Sequence, residues 1–219
     1  MNTIAERQNQ AGQILRAAGI LPVVTVHTLE QAREVSAALL RGGLPAIELT
    51  LRTPIAMDAL RMLKAELPDI KIGMGTVVSP KQIEECVEAK ADFLVTPGTS
   101  PTMAKLLAEA PIPVVPGGAT PTEFLTLMEH GFRVCKLFPA NAAGGLNMLR
   151  GLAAPVADLK LCPTGGITED NAGEFLKQPN VVCVGGSWMV PGNWIAAREW
   201  DKVEAASAKA AQIVRDARG

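Results

Sequence analysis

The sequence predicts an α/β protein whose strands close into a (β/α)8 barrel. Three observations carry this prediction: the 219-residue length suits one large domain, short apolar runs recur eight times, and helix-start signals separate the runs. An open doubly wound sheet is the competing architecture for such alternation. We therefore predict a single domain over residues 1–219, in which a helix over 1–18 precedes a barrel over 19–219.

Eight apolar runs are the predicted strands. Their starts are roughly 20 to 27 residues apart, which is the length of a short strand, a loop and a helix. The runs begin at Ile20, Ala46, Ile70, Asp92, Ile112, Phe132, Leu159 and Val181. A chain that returns to a strand at this interval builds parallel βα units, the repeating unit of the barrel.

Capping signals mark the helices between these runs. Thr28–Gln31, Ser79–Gln82 and Thr120–Glu123 each match a capping box. Glycine is predicted to end helices at Gly42 and Gly131. Four starts, two of them among these boxes, pair a hydroxyl cap with proline at the first helical position: Thr53-Pro54, Ser79-Pro80, Ser100-Pro101 and Thr120-Pro121.

Composition narrows the possible functions. Hydrophobic residues make up 48% of the chain, whereas 21 basic and 22 acidic residues nearly cancel, so no general attraction to nucleic acid or an anionic membrane is expected. Two histidines are too few for a histidine-rich metal site, and the four cysteines form no C-x-x-C pair. Neither a signal peptide nor a membrane-spanning window is recognisable. We expect a cytoplasmic protein without nucleic-acid or membrane partners, a metal or a cofactor.

The second predicted strand carries its polar residues on one face. Side chains alternate along a strand, so Glu48, Thr50 and Arg52 share a face and the apolar residues between them share the other. The apolar face must pack on helices, and we therefore expect the polar face to point into the barrel. Glu48 then lies about 13 Å deeper than Arg52, at roughly 3.3 Å per residue.

Lys136 stands at the centre of another apolar run. Val134 and Phe138 share its face, so an inward Lys136 lies among apolar side chains and in the same cavity as Glu48. A buried ammonium is costly unless it is paired or loses its proton. The alternatives are a structural Glu48–Lys136 ion pair and, for Arg52, a solvated mouth residue. Because ionisable groups at this end of a barrel usually serve function, we predict a catalytic pair.

Paired glycines follow the last two predicted strands. Loops at these positions commonly bind phosphate in such barrels, because glycine lets backbone N–H groups approach an anion closely. The candidates are Thr164, Gly165 and Gly166 after the seventh strand, and Gly185, Gly186 and Ser187 after the eighth. An ordinary turn is the alternative. His27 and His130 are interpreted as a loop residue and a helix-end residue.

These groups together predict a reaction. A neutral lysine amine attacks a ketone to form a Schiff base, whose protonated imine stabilises the carbanion left when a neighbouring bond breaks. Glu48 would move protons, Arg52 would hold a carboxylate, and the glycine loops would hold a phosphate. The implied substrate is a 2-keto acid with a distal phosphate. An acid–base isomerase and a non-catalytic sugar-phosphate sensor stay open as alternatives.

Six stretches, in order along the chain, resemble one enzyme family. They are IELTLRT (47–53), IGMGTV (72–77), VTPGTS (95–100), VCKLFPA (134–140), CPTGGI (162–167) and VGGSW (184–188). Together they resemble the 2-keto-3-deoxy-6-phosphogluconate (KDPG) aldolase family, also described as KDPG/4-hydroxy-2-oxoglutarate (KHG) aldolases. The resemblance implies a class I aldolase on a (β/α)8, or TIM, barrel: a homotrimer without metal, acting in Entner–Doudoroff carbohydrate metabolism.

The resemblance also implies a role for each matching residue. Lys136 would be the Schiff-base lysine and Glu48 the general acid/base. The substrate would be held by Arg52 and Thr76 at the pyruvate carboxylate, by Pro97 and Phe138 around the pyruvate, and by Thr164, Gly165, Gly166, Gly186 and Ser187 at the hydroxyl and phosphate end. The roles of Thr76, Pro97 and Phe138 rest on the resemblance alone.

Two departures from the family pattern concern the substrate rather than the chemistry. Met74 stands where a small residue is usual, and Gly118 and Ala119 stand where bulkier or hydroxyl residues are expected. All three end predicted strands near the mouth, where they would shape the aldehyde pocket. The predicted reaction is reversible cleavage of KDPG to pyruvate and glyceraldehyde 3-phosphate. Cleavage of KHG to pyruvate and glyoxylate, or of 2-keto-3-deoxy-6-phosphogalactonate, is the alternative.

Overall fold

The computed structural model describes residues 2–219, along which strands and helices alternate. The strands are β1 Ile20–Val24, β2 Ala46–Thr50, β3 Lys71–Gly75, β4 Phe93–Val95, β5 Val114–Val115, β6 Gly117–Gly118, β7 Val134–Leu137, β8 Lys160–Pro163 and β9 Val184–Gly186. The helices are α1 Ile4–Ala18, α2 Leu29–Arg41, α3 Ala56–Glu66, α4 Pro80–Glu88, α5 Pro101–Glu109, α6 Pro121–Glu129, α7 Gly145–Ala153, α8 Ala172–Leu176, α9 Gly192–Ala196 and α10 Trp200–Arg218.

All eight apolar runs contain a strand, as predicted, and the fifth run contains two. Pro116 separates β5 from β6, because proline has no N–H to give to a sheet. The two halves have different neighbours: β5 pairs with β4, and β6 pairs with β7. The Pro116 carbonyl still accepts the N–H of Lys136 at 2.9 Å. The proline thus interrupts the strand without losing its contact with β7.

The strand pairs described in residues 2–219 are all parallel. One sheet has the order β5-β4-β3-β2-β1-β9 and the other the order β6-β7-β8. Two isolated parallel bridges, Leu161 to Val181 and Thr164 to Gly185, link the region of β8 to that of β9. The predicted α/β class is confirmed, since each parallel connection runs through a helix.

Four of the predicted helix N-caps are formed, and three of them match the predicted pattern in full. Ser79 and Thr120 begin α4 and α6 with complete capping boxes, in which the side chains of Gln82 and Glu123 accept the backbone N–H of the cap residue. Ser100 caps α5 by accepting the N–H of Met103. Proline occupies the first helical turn at all three starts, as the sequence predicts.

Two predicted caps are wrong in detail because a neighbouring group competes for the polar side chain. Thr28 caps α2 by accepting the Gln31 N–H, but the Gln31 side chain accepts the N–H of His27 instead of completing the box. Thr53 donates its hydroxyl to the Val26 carbonyl at 2.7 Å, and α3 begins later, after Ile55. That carbonyl lies in the loop after β1, 27 residues earlier in the chain, and no local pattern reveals the contact.

The predicted N-terminal helix is present as α1. It begins at a Thr3–Glu6 capping box and ends at Gly19, whose φ of +65° suits glycine. Met1, which the prediction included, lies outside the described residues. We call the strand face that carries Glu48 and Lys136 the inner face. One face of α1 packs on the inner face of the strands in an apolar cluster that includes Ala11, Leu15, Ala18, Leu21, Ala46, Phe93, Val115, Val134, Cys162 and Cys183.

The remaining helices pack against the other face of the strands and against each other. The larger apolar cluster fills this layer, with Ile47, Leu49, Ile72, Cys135 and Leu137 from the strands among its members. α10 packs against α2 and α8, and so ties the end of the chain to the helical layer. None of the helices described in residues 2–219 combines the length and apolar character needed to cross a membrane.

Candidate active site

Lys136 on β7 and Glu48 on β2 meet on the inner face. The Lys136 Nζ atom lies 2.9 Å from Oε1 and 3.1 Å from Oε2 of Glu48. Lys136 is 4% exposed and Glu48 is 1% exposed, so both groups are removed from water. The alternation of the two strands predicted that both side chains share one cavity, and the tertiary structure sets the contact itself. It places an amine and a carboxylate within proton-transfer distance inside an apolar surrounding.

Two neighbours shape the space around the pair. The Nζ atom of Lys136 lies over the Phe138 ring at 5.1 Å from its centroid, a cation–π contact. Gly75 on β3 stands beside the Glu48 carboxylate, where a Cβ atom would overlap Oε1 and Cγ. Any larger residue would displace the carboxylate. Sequence reasoning missed Gly75, although glycine inside a strand is a known mark of close approach.

Arg52 and Ser187 lie together at the carboxyl ends of the strands. They line a pocket of about 310 Å³ that also includes Thr25, His27 and Val190. Arg52 lies in the turn after β2, which ends at Thr50. The pocket extends inward to Val23, which pairs in register with Glu48. The structure therefore places Arg52 at the carboxyl end of β2, as expected, in a pocket that reaches the layer of Glu48. The backbone N–H of His27 donates to the Gln31 side chain. That bond does not involve the His27 ring, and His27 is part of the pocket lining.

A larger groove of about 630 Å³ lies at the opposite end of the strands, beside α1. Its lining includes Gln8, Arg16, Arg133, Asp158 and Lys160. The smaller pocket reaches the layer of the lysine–carboxylate pair, because Val23, the register partner of Glu48, lines it. Pocket size alone would therefore point to the wrong end of the molecule.

Thr76 has a strained backbone directly after β3. Its φ is +63°, a region that a β-branched residue rarely adopts. Such strain persists only where the surroundings enforce it, and it clusters at binding sites. Pro97 lies two residues after β4 and is half-buried. Gly117 on β6 lets the backbone after β4 come close to β6, because a Cβ at this position would crowd the carbonyl oxygens of Thr96 and Pro97.

The paired glycines are each required by the local structure. Gly165 and Gly166 have φ values of +101° and +80°, which other residues rarely adopt. A Cβ at Gly185 would overlap Oγ1 of the buried Thr164. One at Gly186 would overlap the Trp188 ring. The tight packing holds both loops near the mouth, and phosphate binding by them stays a prediction.

The departures Met74 and Gly118 do not shape the inner face, contrary to the expectation from the sequence. Met74 is fully buried in the helix-facing cluster, because it pairs in register with Leu49 rather than Glu48. A Cβ at Gly118 would meet Phe124 and Glu123 of α6, so this residue also faces the helices. The alternation of strand faces decides both cases. Ala119 donates its N–H to Glu123 and belongs to the α6 start.

The cysteines are not candidate nucleophiles. All four are free and buried. Burial raises the pKa of the Cys86 thiol to about 12 and also raises the pKa values of Cys135 and Cys183. Within residues 2–219, no group of three or more His, Cys, Asp or Glu side chains is placed to hold a metal ion. The nucleophile that the geometry offers is the Lys136 amine.

Comparisons with known proteins place this geometry in a class. The family model described as KDPG and KHG aldolase matches residues 11–206. The 2-dehydro-3-deoxy-phosphogluconate aldolase of Dickeya dadantii is 39% identical over 203 residues, which cover 93% of this chain and 95% of that protein. The class is thus that of the aldolases. The chain belongs to the KDPG and KHG aldolase family.

Two solved structures support the same assignment. A KDPG aldolase from Legionella pneumophila, with pyruvate captured as a covalent carbinolamine intermediate, is 38% identical with a TM-score of 0.88. The match covers 90% of this chain and 96% of that one. The KDPG aldolase of Zymomonas mobilis ZM4 with 3-phosphoglycerate is 33% identical with a TM-score of 0.86, covering 93% and 95% of the two chains.

Proposed function

We propose that the protein is a class I aldolase that reversibly cleaves KDPG to pyruvate and glyceraldehyde 3-phosphate through a Schiff base on Lys136. The observation that carries the proposal is the buried Lys136–Glu48 contact of 2.9 Å. A structural ion pair at this depth is a weak source of stability, because desolvation offsets much of the attraction. Its position below a mouth pocket therefore favours a chemical role.

The first steps use the pair as a proton-transfer couple. Glu48 takes a proton from the Lys136 ammonium, and the free amine attacks the C2 ketone to form a carbinolamine. Glu48 then returns the proton to the carbinolamine hydroxyl, which leaves as water. The product is a protonated imine between Lys136 and C2, and Glu48 is again a carboxylate.

The bond cleavage uses Glu48 as a base. The carboxylate takes the proton of the C4 hydroxyl, the C3–C4 bond breaks, and its electron pair moves through C2 to the imine nitrogen. The aldehyde departs and the enamine of pyruvate remains on Lys136. Glu48 then protonates C3, and water hydrolyses the imine to release pyruvate. The Gly75 gap is what allows the carboxylate to reach both the amine and the substrate.

The other predicted site residues bind the substrate in this proposal. Arg52 and the strained Thr76 hold the pyruvate carboxylate, and Pro97 and Phe138 pack around the pyruvate carbons. The distal hydroxyls and phosphate are held by Thr164, Gly165, Gly166, Gly186 and Ser187. The captured pyruvate and the bound 3-phosphoglycerate in the two solved relatives support a site of this kind. KHG is a second substrate that the family description supports.

The proposal includes a closed barrel formed by residues 19–219 as one domain with α1. Pro116 leaves β5 and β6 as adjacent halves of one strand, which pair with β4 and β7 respectively. The bridge from Thr164 to Gly185 supports contact between β8 and β9. Together these contacts would join the two sheets at both edges. The homotrimer and the cytoplasmic location stay predictions from the sequence.

Covalent trapping tests the proposed mechanism. Incubation with pyruvate and borohydride should add about 72 Da to the intact protein, because reduction makes the imine permanent. The Lys136→Ala protein should give no adduct and lose cleavage activity by roughly 10⁶-fold, the scale seen when a covalent nucleophile is removed. Both results would place the chemistry at one amine.

A matched control separates Lys136 from other paired lysines. Lys64 also contacts a carboxylate, with Nζ at 2.8 Å from Asp92 Oδ2, but it lies in the surface layer. The Lys64→Ala protein should keep the adduct and the activity. A folded wild-type protein that forms no adduct would contradict the class I mechanism and favour the isomerase or sensor interpretation. If the adduct forms on Lys136, cleavage assays on KDPG, KHG and the phosphogalactonate rank the substrates.

A further inference from the structure

A pair of threonine hydroxyls lies one layer above the catalytic pair. Strands β1 and β2 pair with Val23 opposite Glu48, so the next residues on the same face are Thr25 and Thr50. Their Oγ1 atoms are 2.8 Å apart. Thr50 is fully buried, whereas Thr25 is half-buried and lines the 310 Å³ mouth pocket with Arg52 and Ser187.

Both contacts of this pair are hydrogen bonds in only one arrangement of the hydroxyl protons. The Val24 carbonyl cannot donate, so the 3.1 Å contact uses the one proton of Thr50. Either hydroxyl could donate across the 2.8 Å contact between the threonines, and in this arrangement Thr25 is the donor. Having used its proton, the Thr25 oxygen can only accept a further hydrogen bond. It therefore offers an acceptor, and not a donor, to whatever occupies the pocket.

An acceptor at this position discriminates between substrate groups. A hydroxyl can donate to it, whereas a carboxylate or a phosphate dianion has no proton to give and would be repelled. The inference rests on the proposed function, in which Glu48 removes the proton of the C4 hydroxyl. That hydroxyl must therefore lie at Glu48. Thr25 belongs to the next layer toward the mouth, roughly 7 Å farther along the strand direction. In the proposed function Arg52 holds the carboxylate and Ser187 the phosphate, and Thr25 lines the same pocket as both. The C5 hydroxyl lies between C4 and the phosphate, and so belongs to the part of the substrate that spans this pocket.

We propose that Thr25 is a specificity residue whose Oγ1 atom accepts a hydrogen bond from the C5 hydroxyl of KDPG. In the reverse reaction this group is the C2 hydroxyl of glyceraldehyde 3-phosphate. KHG has a carboxylate carbon at C5, so it presents only acceptors to Thr25. The threonine pair thus favours the polyhydroxylated phosphate substrate without touching the reacting atoms.

The test compares two aldehydes in the condensation with pyruvate. Glyceraldehyde 3-phosphate carries the hydroxyl in question, and 3-phosphooxypropanal lacks it while keeping the phosphate. The wild-type protein should prefer the hydroxylated aldehyde by about tenfold in kcat/KM, the scale of one net hydrogen bond. Equal values for the two aldehydes would overturn the proposal without recourse to any variant.

Variants at Thr25 assign the preference to this side chain. Thr25→Val keeps the shape, removes the acceptor, and leaves the bond from Thr50 to Val24. It should lose about tenfold on glyceraldehyde 3-phosphate and nothing on 3-phosphooxypropanal, so the preference disappears. Thr25→Ser should restore the preference. Equal losses on both aldehydes, or an unchanged preference, would show that Thr25 only supports the structure.

The pyruvate–borohydride adduct separates this inference from the proposed function. Thr25→Val should form the adduct as completely as the wild-type protein, because imine formation needs the Lys136 amine and the Glu48 carboxylate and not the Thr25 hydroxyl. A wild-type protein without an adduct would contradict the aldolase mechanism itself. An adduct together with an unaltered aldehyde preference would overturn the role of Thr25 alone.

Discussion

The two ends of the inner face have opposite chemistry although the same strands build both. Near α1 the face is apolar and filled by side chains, whereas two to four residues farther along four of the strands it carries groups that ionise or hydrogen-bond. The change occurs from Leu21 on β1 to Thr25 just after it, from Ala46 to Glu48 on β2, from Val134 to Lys136 on β7 and from Cys162 on β8 to Thr164 just after it.

This difference shows how stability and reactivity are divided along a strand. The apolar end is a packed core closed by α1, where every methylene contributes to folding. The polar end holds an amine and a carboxylate that are costly to bury and serve folding poorly. The division predicts that changes at one end alter stability and changes at the other alter catalysis.

The largest effect should follow a change at the polar end. Glu48→Gln keeps the size of the side chain and an acceptor for Lys136 but cannot take a proton. We expect kcat to fall by about 10² to 10⁴-fold, the range for a lost general acid/base. Steady-state cleavage of KDPG measures this loss.

The control for Glu48 is a carboxylate of the surface. Glu66 contacts Arg33 at 2.6 Å, and this partner lowers the Glu66 pKa. Glu66→Gln should leave kcat unchanged, because the pair lies in the helical layer. A Glu48→Gln enzyme with normal kcat would show that the polar end is structural after all, and the comparison between the two ends would fail.

A change at the apolar end should reduce stability by a smaller but clear amount. Leu15 of α1 is fully buried in the apolar cluster. Leu15→Ala should lower the free energy of unfolding by about 2–5 kcal/mol, through lost burial and the cavity left behind. Urea denaturation measures the change, and kcat of the folded fraction should stay the same.

The matched control for Leu15 is Leu125, which is 51% exposed. Leu125→Ala should change the free energy of unfolding by no more than about 0.5 kcal/mol. A Leu15→Ala protein whose kcat falls as steeply as that of Glu48→Gln would mean that the two ends are coupled. That outcome would mean that stability and catalysis are not divided between the two ends of the inner face.

The smallest effect should come from the polar residue at the apolar end. The Gln8 amide donates to the Val114 carbonyl at 2.8 Å and accepts the N–H groups of Arg133 and Val134 at 2.9 and 2.8 Å. Gln8→Ala removes these bonds, but Gln8 lines the 630 Å³ groove, from which water can replace part of them. We expect the free energy of unfolding to fall by about 1–3 kcal/mol.

Gln13, exposed on the same helix and lining the same groove, is the control for Gln8. Gln13→Ala should leave both stability and kcat within error of the wild type. A Gln8→Ala protein that keeps its stability but loses activity would contradict the comparison, since a buried polar group at the apolar end would then serve chemistry.

Local sequence patterns determined the elements and the strand faces of this protein. The eight apolar runs, the caps at Ser79, Ser100 and Thr120, and the shared face of Glu48 and Arg52 all follow from interactions within a few residues. Such signals are short-range, because side-chain alternation and helix capping depend on neighbours along the chain. The resemblance to KDPG aldolases added the family, which the comparisons confirmed.

Tertiary structure decided what distant residues do to each other. It brought Lys136 to a carboxylate 88 residues away, set Gly75 beside that carboxylate, and turned Met74 toward the helices. It also directed the Thr53 hydroxyl to the Val26 carbonyl in the loop after β1, against its local preference for a cap. Strand register and packing settle these contacts, and neither is encoded in any short stretch of the chain.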